Sequence, residues 1–563
     1  MYSQKIIRIA SQESNLQAQL SRELGISRIL AQVLINRGIR SASEAQKFLN
    51  VELGQLQDPF LFAQMDQAVG FIKKSIEQKE KILIFSDYDV DGVTALTLLE
   101  TTLSSMGAET FHYIPNRIKE GYGLNPAILT LVKEKNIKLL ITADCGTNSH
   151  ELIRELRKNG ITVIVTDHHE PQEDGVLHAA TAMINPKLKD SNYSYRDLAG
   201  VGVAYKLCQA LTGKFLKDDL DIVALGTVAD CVPLTGENRV LVKEGLTSLA
   251  QTKRIGLRAL MEVSRLRNKK ITPEFISFIL GPRINAGGRM DTAEISFDLL
   301  MSQNGEEAEQ LARTIEDCNR QRQKVENNIL EEAGSLIDRE VNFKDHKIVV
   351  LAKEGWHPGV LGIVAAKLVD RFYRPTILIS LSERLCRGSG RSIKNFHLFE
   401  GIEQCSELLS SFGGHQHAVG MVIERDNIDV FRDRINKVAH EKMIFEDLLP
   451  SYEVDMELSL EELTDDLIRE LAALEPFGSG NTEPLFYTRG LELKGESRLL
   501  GRETLKFWVT DGKNTFPAIG FGKAGMNESL QDADSFDMVY KLRIDTWNGE
   551  ESLILEIKDM FFR

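Results

Sequence analysis

Cysteine is scarce in this sequence. Its 563 residues contain six, Cys145, Cys208, Cys231, Cys318, Cys386 and Cys405, and none forms a C-x-x-C pair. That excludes the common structural zinc motifs and a disulfide scaffold, and it fits a reducing compartment. Long hydrophobic runs are missing too. None approaches the ~18 residues of a spanning helix, and the opening Met1-Tyr2-Ser3-Gln4-Lys5 lacks the apolar core of a secretory signal. A cytosolic protein with no membrane role is expected. Excess positive charge is also absent: 68 Lys and Arg face 82 Asp and Glu, a net charge of −14. That argues against a generic basic nucleic-acid coat or a polybasic membrane binder. It leaves room for a local basic groove and for carboxylates gathered to hold cations. With 42 Gly and 14 Pro, the chain is neither collagen-like nor disordered. At roughly 150 residues per domain, three or four domains are expected, long enough together to bury cores without metal or disulfide staples.

The N-terminal segment, 1–60, reads as short helices. Ile26, Ile29, Leu30, Val33 and Leu34 recur at helical spacing, and Asn36-Arg37-Gly38 supplies a stop. From about 66 to 235, compact apolar runs alternate with helical stretches. Lys81 to Phe85, Leu139 to Thr142 and Ile161 to Thr166 read as strands of a parallel βαβ sheet. Ligands collect at the C-terminal ends of such strands, and acidic residues or histidines come directly after each run. Residues 236–300 read as mainly helical, interrupted by the glycine-rich Gly281 to Arg289. A long helix is expected over about 304–340, spanning roughly 50 Å. A second α/β unit begins near Lys347 and ends near 445. In the tail, aromatic and polar residues alternate, and Asp511-Gly512 and Asn548-Gly549 signal hairpin turns. A small β-barrel is expected there.

The chemistry concentrates at four places. In Ser86-Asp87-Tyr88-Asp89-Val90-Asp91-Gly92, three carboxylates alternate after a strand. An extended chain would point them to one side, where they repel unless a cation neutralises them. Gly92 allows a tight turn into the next helix. Taken alone, the run reads equally as an exposed acidic loop; an EF-hand needs a preceding helix, and a strand precedes here. Asp144 comes after the next strand, where a turn or cap residue is the ordinary reading. Asp167-His168-His169 comes after the third, and one of these histidines is open to a structural reading. Asp230 ends an apolar helix, where the helix dipole disfavours a carboxylate. Together these oxygen-rich groups, with one or two imidazoles, suit Mn²⁺ or Mg²⁺ better than structural Zn²⁺. Four aspartates match two divalent ions, and a pair about 4 Å apart suits in-line phosphoryl chemistry.

Asp89-x-Asp91-Gly92, Asp144, Asp167-His168-His169 and Asp230 resemble the DHH phosphoesterase superfamily. Further segments resemble its RecJ branch of single-strand-specific exonucleases. These are Ser86 to Gly92, Pro115-Asn116-Arg117 with Glu120-Gly121-Tyr122-Gly123-Leu124-Asn125, Gly281 to Arg289, Gly413 to Gly420 and Glu475 to Asn481. The similarity runs in one order along nearly the whole chain. It implies two α/β lobes (DHH and DHH-associated) joined by a long helix, plus a C-terminal OB-type β-barrel. The expected divisions are 1–60 helical, 61–245 DHH, 246–340 helical with the connector, 341–447 DHH-associated (DHHA1) and 448–563 OB-fold.

The resemblance also implies site roles. Asp89 would hold one metal ion; Asp91, His168 and Asp230 would hold the other; Asp144 would bridge them. His169 would sit beside the scissile phosphate, with Asp87 supporting from behind. Arg117, Ser389 and Arg391 would form a pocket for a terminal 5′ phosphate, and His415 would contact phosphate. Arg283 and Arg289, on glycine-rich chain, are further candidate strand contacts. In the tail, Leu505, Phe507 and Val509 share one strand face and Lys506 and Trp508 the other, which suits base stacking on an OB-type barrel. A tryptophan covering a neighbouring domain is the competing reading. Val419 stands where the family usually has alanine, and Thr504 where it has histidine, so any role of that histidine is absent.

The implied activity is two-metal, single-strand-specific 5′→3′ DNA exonuclease action, releasing 5′ mononucleotides in recombination and repair. Implied partners are single-stranded DNA, a single-strand-binding protein and a helicase, around a monomer. Two alternatives are a DHH enzyme of short oligonucleotides or cyclic dinucleotides and a non-catalytic replication scaffold. The extra barrel argues against the first, and the complete set of acidic and histidine ligands against the second.

Overall fold

The computed structural model describes residues 5–172, 179–189, 191–267, 269–547 and 550–563. The chain divides into two compact units. One comprises Leu56–Val232 and Glu244–Pro450; the other comprises Gln4–Gln55, Pro233–Lys243 and Ser451–Arg563. No helix among the described residues is long and apolar enough to cross a membrane.

The first unit begins with a five-stranded sheet. Its strands are β1 (Lys81–Ser86), β2 (Glu109–Tyr113), β3 (Ile137–Ala143), β4 (Thr162–Thr166) and β5 (Ala182–Ile184), in the order β2-β1-β3-β4-β5. All pairings are parallel. Helices cover such a sheet on both faces, so its strands are near-continuous apolar runs; β1 and β3 are buried along almost their whole length. The strand register aligns the residues just beyond the strand ends. Ser86 pairs with Ala143, Ala143 with Thr166 and Thr166 with Ile184. Asp87, Asp144, Asp167 and Asn185 therefore emerge side by side, each one residue past its strand.

Helices α1 (Val90–Ser105), α2 (Gly200–Thr212) and α3 (Leu220–Ala229) pack around the C-terminal edge of this sheet. All three are apolar around most of their circumference, as buried helices must be. The Ser86–Gly92 run does not stay extended. Asp89 is the N-cap of α1, and Asp91 already lies in its first turn. An Asp cap satisfies an orphan helix N–H, which outweighs continuing the strand.

The Gly281–Arg289 segment is not a break either. It lies in helix α4 (Gly281–Met290), entered through a π-turn at Ile276–Leu280. Its glycines serve close packing: a β-carbon on Gly287 would come within 2.8 Å of Ile295, and one on Gly288 within 3.1 Å of the Tyr88 carbonyl. Helix α5 (Gly305–Glu340) is 36 residues long, about 54 Å at helical rise. Asn304 caps it through Glu306 and Glu307.

The second lobe of this unit has strands β6 (Val349–Glu354), β7 (Thr376–Leu381), β8 (Leu385–Arg391), β9 (Leu409–His415) and β10 (Ala418–Glu424), in the order β9-β10-β8-β7-β6. Helix α6 (Leu361–Phe372) packs on β7 and β8. The glycine-rich Arg387–Arg391 run is the central strand, not a loop.

The second unit is built on a sheet of β11 (Met456–Glu457), β12 (Phe486–Leu500), β13 (Thr504–Thr510), β14 (Thr515–Gly520), β15 (Phe536–Trp547) and β16 (Glu550–Phe562). Its order is β11-β12-β13-β14-β16-β15, and β12 also pairs with β15. That pairing closes a five-stranded barrel, which leaves no free edge among those five strands. The Asp511-Gly512 turn joins β13 to β14 with Gly512 at φ 89°; Asn548-Gly549 lies outside the described residues. The N-terminal helices share this unit's apolar core, through Ile29, Leu30, Val33 and Leu34. Arg239 is buried there, donating to the carbonyls of Phe48, Ala473, Leu474 and Glu475.

Candidate metal centre

The register of β1, β3 and β4 starts the site, and three helix ends complete it. Asp89 Oδ1 accepts from Gly92 N at 3.0 Å. Gly92 is required at that point, because a β-carbon there would stand 2.5 Å from the Asp87 carbonyl oxygen. Asp91, in the first turn of α1, faces the start of α2. Its Oδ2 accepts from Gly200 N at 2.6 Å and its Oδ1 from Val201 N at 2.8 Å. Asp144 adopts φ 61°, a left-handed conformation that few residues other than glycine tolerate. Its N–H is held by the Thr166 carbonyl at 3.0 Å. Asp230 caps the C-terminus of α3.

Asp167 organises the two histidines. Its Oδ1 accepts from His168 N and His169 N and lies 2.7 Å from His169 Nδ1; its Oδ2 accepts from Thr147 N. Burial alone would raise the Asp167 carboxyl, but the hydrogen bond and charge of His169 dominate and hold it well below the usual range. It is a fixed anion. His168 Nε2 points the other way, 3.2 Å from Asp144 Oδ1, 3.5 Å from Asp230 Oδ2 and 3.9 Å from Asp91 Oδ2. Burial depresses its pKa to about 3, which leaves a neutral imidazole suited to metal ligation.

Three groups bring ligand atoms within 4.8 Å of one another: Asp91, His168 and Asp230; Asp87, Asp89 and Asp144; and Asp144, His168 and His169. Burial, then mutual repulsion, raises the pKa values of Asp87, Asp91, Asp144 and Asp230. Among the described residues no lysine or arginine lies within 4.0 Å of these carboxylates. Asp87 Oδ1 and Asp144 Oδ1 are buried without a hydrogen-bond partner, an arrangement costly unless something else satisfies them. An oxygen-rich set with one or two imidazoles fits a pair of hard divalent cations.

Around this centre the expected strand contacts divide. Arg117 lies over the Tyr88 ring at 5.0 Å. Arg289 donates to the Gly359 carbonyl at 3.0 Å. Burial first, then repulsion from Arg117, Arg391 and Arg322, lowers its pKa to about 9. Arg391 lies 3.5 Å from Ser389 Oγ. A β-carbon on Gly362 of α6 would approach both side chains, at 2.8 and 3.0 Å. Among the described residues no carboxylate lies within 4.0 Å of Arg117, Arg289 or Arg391. Arg283, by contrast, is bound to Glu316 on α5 at 2.7 Å and to the Ile279 carbonyl. His415 lies at the end of β9, with its pKa lowered by burial and by Arg391. A cavity of about 220 Å³ is lined by Ala229, Gly281, Asn285, Arg289 and Arg322.

Lys506 and Trp508 belong to the other unit. On β13, Leu505, Phe507 and Val509 are buried, while Trp508 is 51% exposed. Register places Lys494 opposite Trp508 and Arg498 opposite Lys506.

Sequence alone did not assign Tyr122, whose hydroxyl reaches His169, or Gly200, whose backbone holds Asp91. Both carried a signal, since Tyr122 stands between two glycines and Gly200 begins a Gly-Val-Gly run.

Three family models match the chain in order: the DHH family N-terminal domain over 81–227, the DHHA1 domain over 345–441 and the RecJ OB domain over 454–559. The single-stranded-DNA-specific exonuclease RecJ of Bacillus subtilis (strain 168) is 37% identical over 543 residues, 96% of this chain and 69% of that protein. The chain belongs to the RecJ family. The RecJ of Escherichia coli (strain K12) is 32% identical over 582 residues, covering 99% of each chain. Among solved structures, RecJ from Thermus thermophilus in complex with Mn²⁺ has a TM-score of 0.84 at 28% identity. The match covers 100% of this chain and 80% of that one. The same enzyme in complex with Mg²⁺ has a TM-score of 0.78 at 26% identity, covering 99% and 78%. The two α/β lobes, the long helix and the closed barrel are thus the RecJ architecture.

Proposed function

We propose that this chain is a single-stranded-DNA-specific exonuclease that works 5′→3′ and releases 5′ mononucleotides by metal-dependent phosphodiester hydrolysis. The convergence of Asp87, Asp89 and Asp144 with Asp91, His168 and Asp230 carries this reading. It is supported by the names of the RecJ relatives and by the Mn²⁺ and Mg²⁺ in the T. thermophilus complexes. Two divalent cations held by these residues would activate water and offset the charge that develops on the phosphate.

The chain's own groups supply the rest. His169, anchored through Nδ1 on Asp167, is held at the edge of the carboxylate cluster, beside the scissile phosphate. Arg117, Arg289, Ser389 and Arg391 receive the terminal 5′ phosphate. Three guanidiniums without a carboxylate between them are a standing demand for a dianion. End-first digestion and 5′→3′ polarity result from that pocket. Lys506 and Trp508 grip the strand further along by charge and stacking. A cytoplasmic setting, action in recombination and repair, and cooperation with a single-strand-binding protein and a helicase complete the proposal.

The test is digestion of 5′- and 3′-labelled single strands with Mn²⁺, Mg²⁺ or chelator, beside duplex DNA. Mononucleotides released from the 5′ label first, only with metal and only from single strands, are expected. Digestion that persists in chelator, or an Asp144→Ala protein as active as its parent, would overturn the reading.

A further inference from the structure

Tyr122 is exposed over 52% of its surface, yet its hydroxyl is turned into the carboxylate and histidine cluster. The hydroxyl lies 3.0 Å from His169 Nδ1, 3.2 Å from Nε2 and 3.4 Å from the Asp144 carbonyl oxygen. Nδ1 is already engaged by Asp167 Oδ1 at 2.7 Å. Asp167 thus fixes the ring from its Nδ1 side, and the phenol oxygen lies within hydrogen-bond distance of the other nitrogen, Nε2.

Gly121 and Gly123 flank Tyr122 at φ 85° and 81°, left-handed conformations that glycine adopts without strain. On the near side the loop is tied down: the Glu120 carboxylate accepts from Asn116 N at 2.6 Å, and Arg387 donates to the Ile118 carbonyl at 2.7 Å. The Tyr122 ring is tilted 58° to His169, with centroids 5.3 Å apart. The other nearby aromatic, Tyr88, carries Arg117 on its ring. A ring kept only for packing would be covered. This one leaves a face open within a nucleotide's length of the ligand cluster.

We propose that Tyr122 holds the His169 ring through its hydroxyl and stacks its open face on the nucleobase next to the scissile phosphate. It is thus a positioning residue and a sequence-tolerant grip. Every base has a π-face, so stacking carries no sequence preference. A base within a duplex is paired and already stacked, so the same grip favours an unstacked strand. The proposal rests on the exonuclease reading above.

Steady-state digestion of a long 5′-phosphorylated single strand in Mn²⁺ tests it with Tyr122→Phe, Tyr122→Ala and Tyr122→Trp. A second strand carries an abasic 5′-terminal nucleotide. Tyr122→Phe should lower kcat about tenfold with KM unchanged, the effect of one lost hydrogen bond to the histidine. Tyr122→Ala should lower kcat similarly and raise KM about tenfold, as loss of a stacked base does. Tyr122→Trp should restore KM but not kcat. The abasic end should raise KM for the parent protein and leave that of Tyr122→Ala unchanged. The proposal is overturned if Tyr122→Phe raises KM as much as Tyr122→Ala, if all three variants match the parent, or if the abasic end affects parent and Tyr122→Ala alike. A parent that digests no single strand overturns the exonuclease reading itself, a separate and recognisable result.

Discussion

A β-carbon on Gly200 would stand 2.4 Å from Asp144 Oδ1 and 2.6 Å from Asp144 Cβ. The first residue of α2 is pressed against the carboxylate shared by two ligand groups, while its N–H holds Asp91, a member of the third. Gly200→Ala must therefore displace Asp144 or the helix. Mn²⁺ affinity, read by calorimetry, should fall about 10- to 100-fold, as when a group orienting metal ligands is lost, and nuclease activity should fall with it. Gly70→Ala, where an added carbon meets nothing within 4 Å, should leave both unchanged. Wild-type Mn²⁺ affinity in Gly200→Ala would contradict the assigned geometry.

Metal binding should depend on pH through Asp91. Burial, then the charge of Asp89, raises this carboxyl to about 7 against the hydrogen bonds from Val201 and Gly200. A group raised in the folded state contributes stability that is complete below its unfolded value of about 3.9. That contribution is lost as pH rises through about 7. The chelator-treated protein should therefore melt at lower temperature as pH climbs across this window. Mn²⁺ must displace the proton, so its affinity should strengthen as pH rises towards about 7. Affinity independent of pH below about 7 would exclude this linkage.

The terminal-phosphate pocket can be tested on the substrate. Arg391→Lys keeps a positive charge but removes the planar fork beside Ser389. Digestion of 5′-phosphorylated strands should slow about 10- to 100-fold, the worth of one or two charge-assisted hydrogen bonds. Digestion of 5′-hydroxyl strands should change little. Equal losses on both ends would place Arg391 outside the pocket.

The exposed face of β13 makes a separate prediction. Trp508→Ala should weaken binding of long single strands by about 1–3 kcal/mol, measured by fluorescence anisotropy. Hydrolysis of a dinucleotide, too short to need the barrel, should be unaffected. The substitution leaves the buried side of the strand intact, because Leu505, Phe507 and Val509 stay in place, so the barrel should fold as before. Unchanged affinity for long strands would assign Trp508 another role.

Much of the architecture was legible along the chain. β1, β3 and β4 announced themselves as apolar runs, the long helix as a sustained three-and-four spacing, and the barrel as aromatic–polar alternation. The candidate ligands could be picked out because each comes just after a strand or ends a helix, and four such positions together outweigh the loop, turn and structural-histidine readings that each allows alone. Two local readings failed for the same reason. The Ser86–Gly92 run does not remain extended, because Asp89 caps a helix. Gly281–Arg289 does not interrupt a helix, because its glycines admit the Tyr88 carbonyl and the Ile295 side chain. A period or a glycine count reports local freedom, and packing decides how that freedom is used.

The sequence by itself determined which residue types stand at strand and helix ends, and so the kind of ion and chemistry they suit. Only the tertiary structure decided which of them meet. Parallel register sets Asp87, Asp144 and Asp167 side by side although they lie far apart in the chain, and the approach of α2 and α3 delivers backbone N–H groups and Asp230 to the same point. Pairing of that kind depends on distances between separate elements, which are set by how their apolar faces fill space and have no local imprint on the chain.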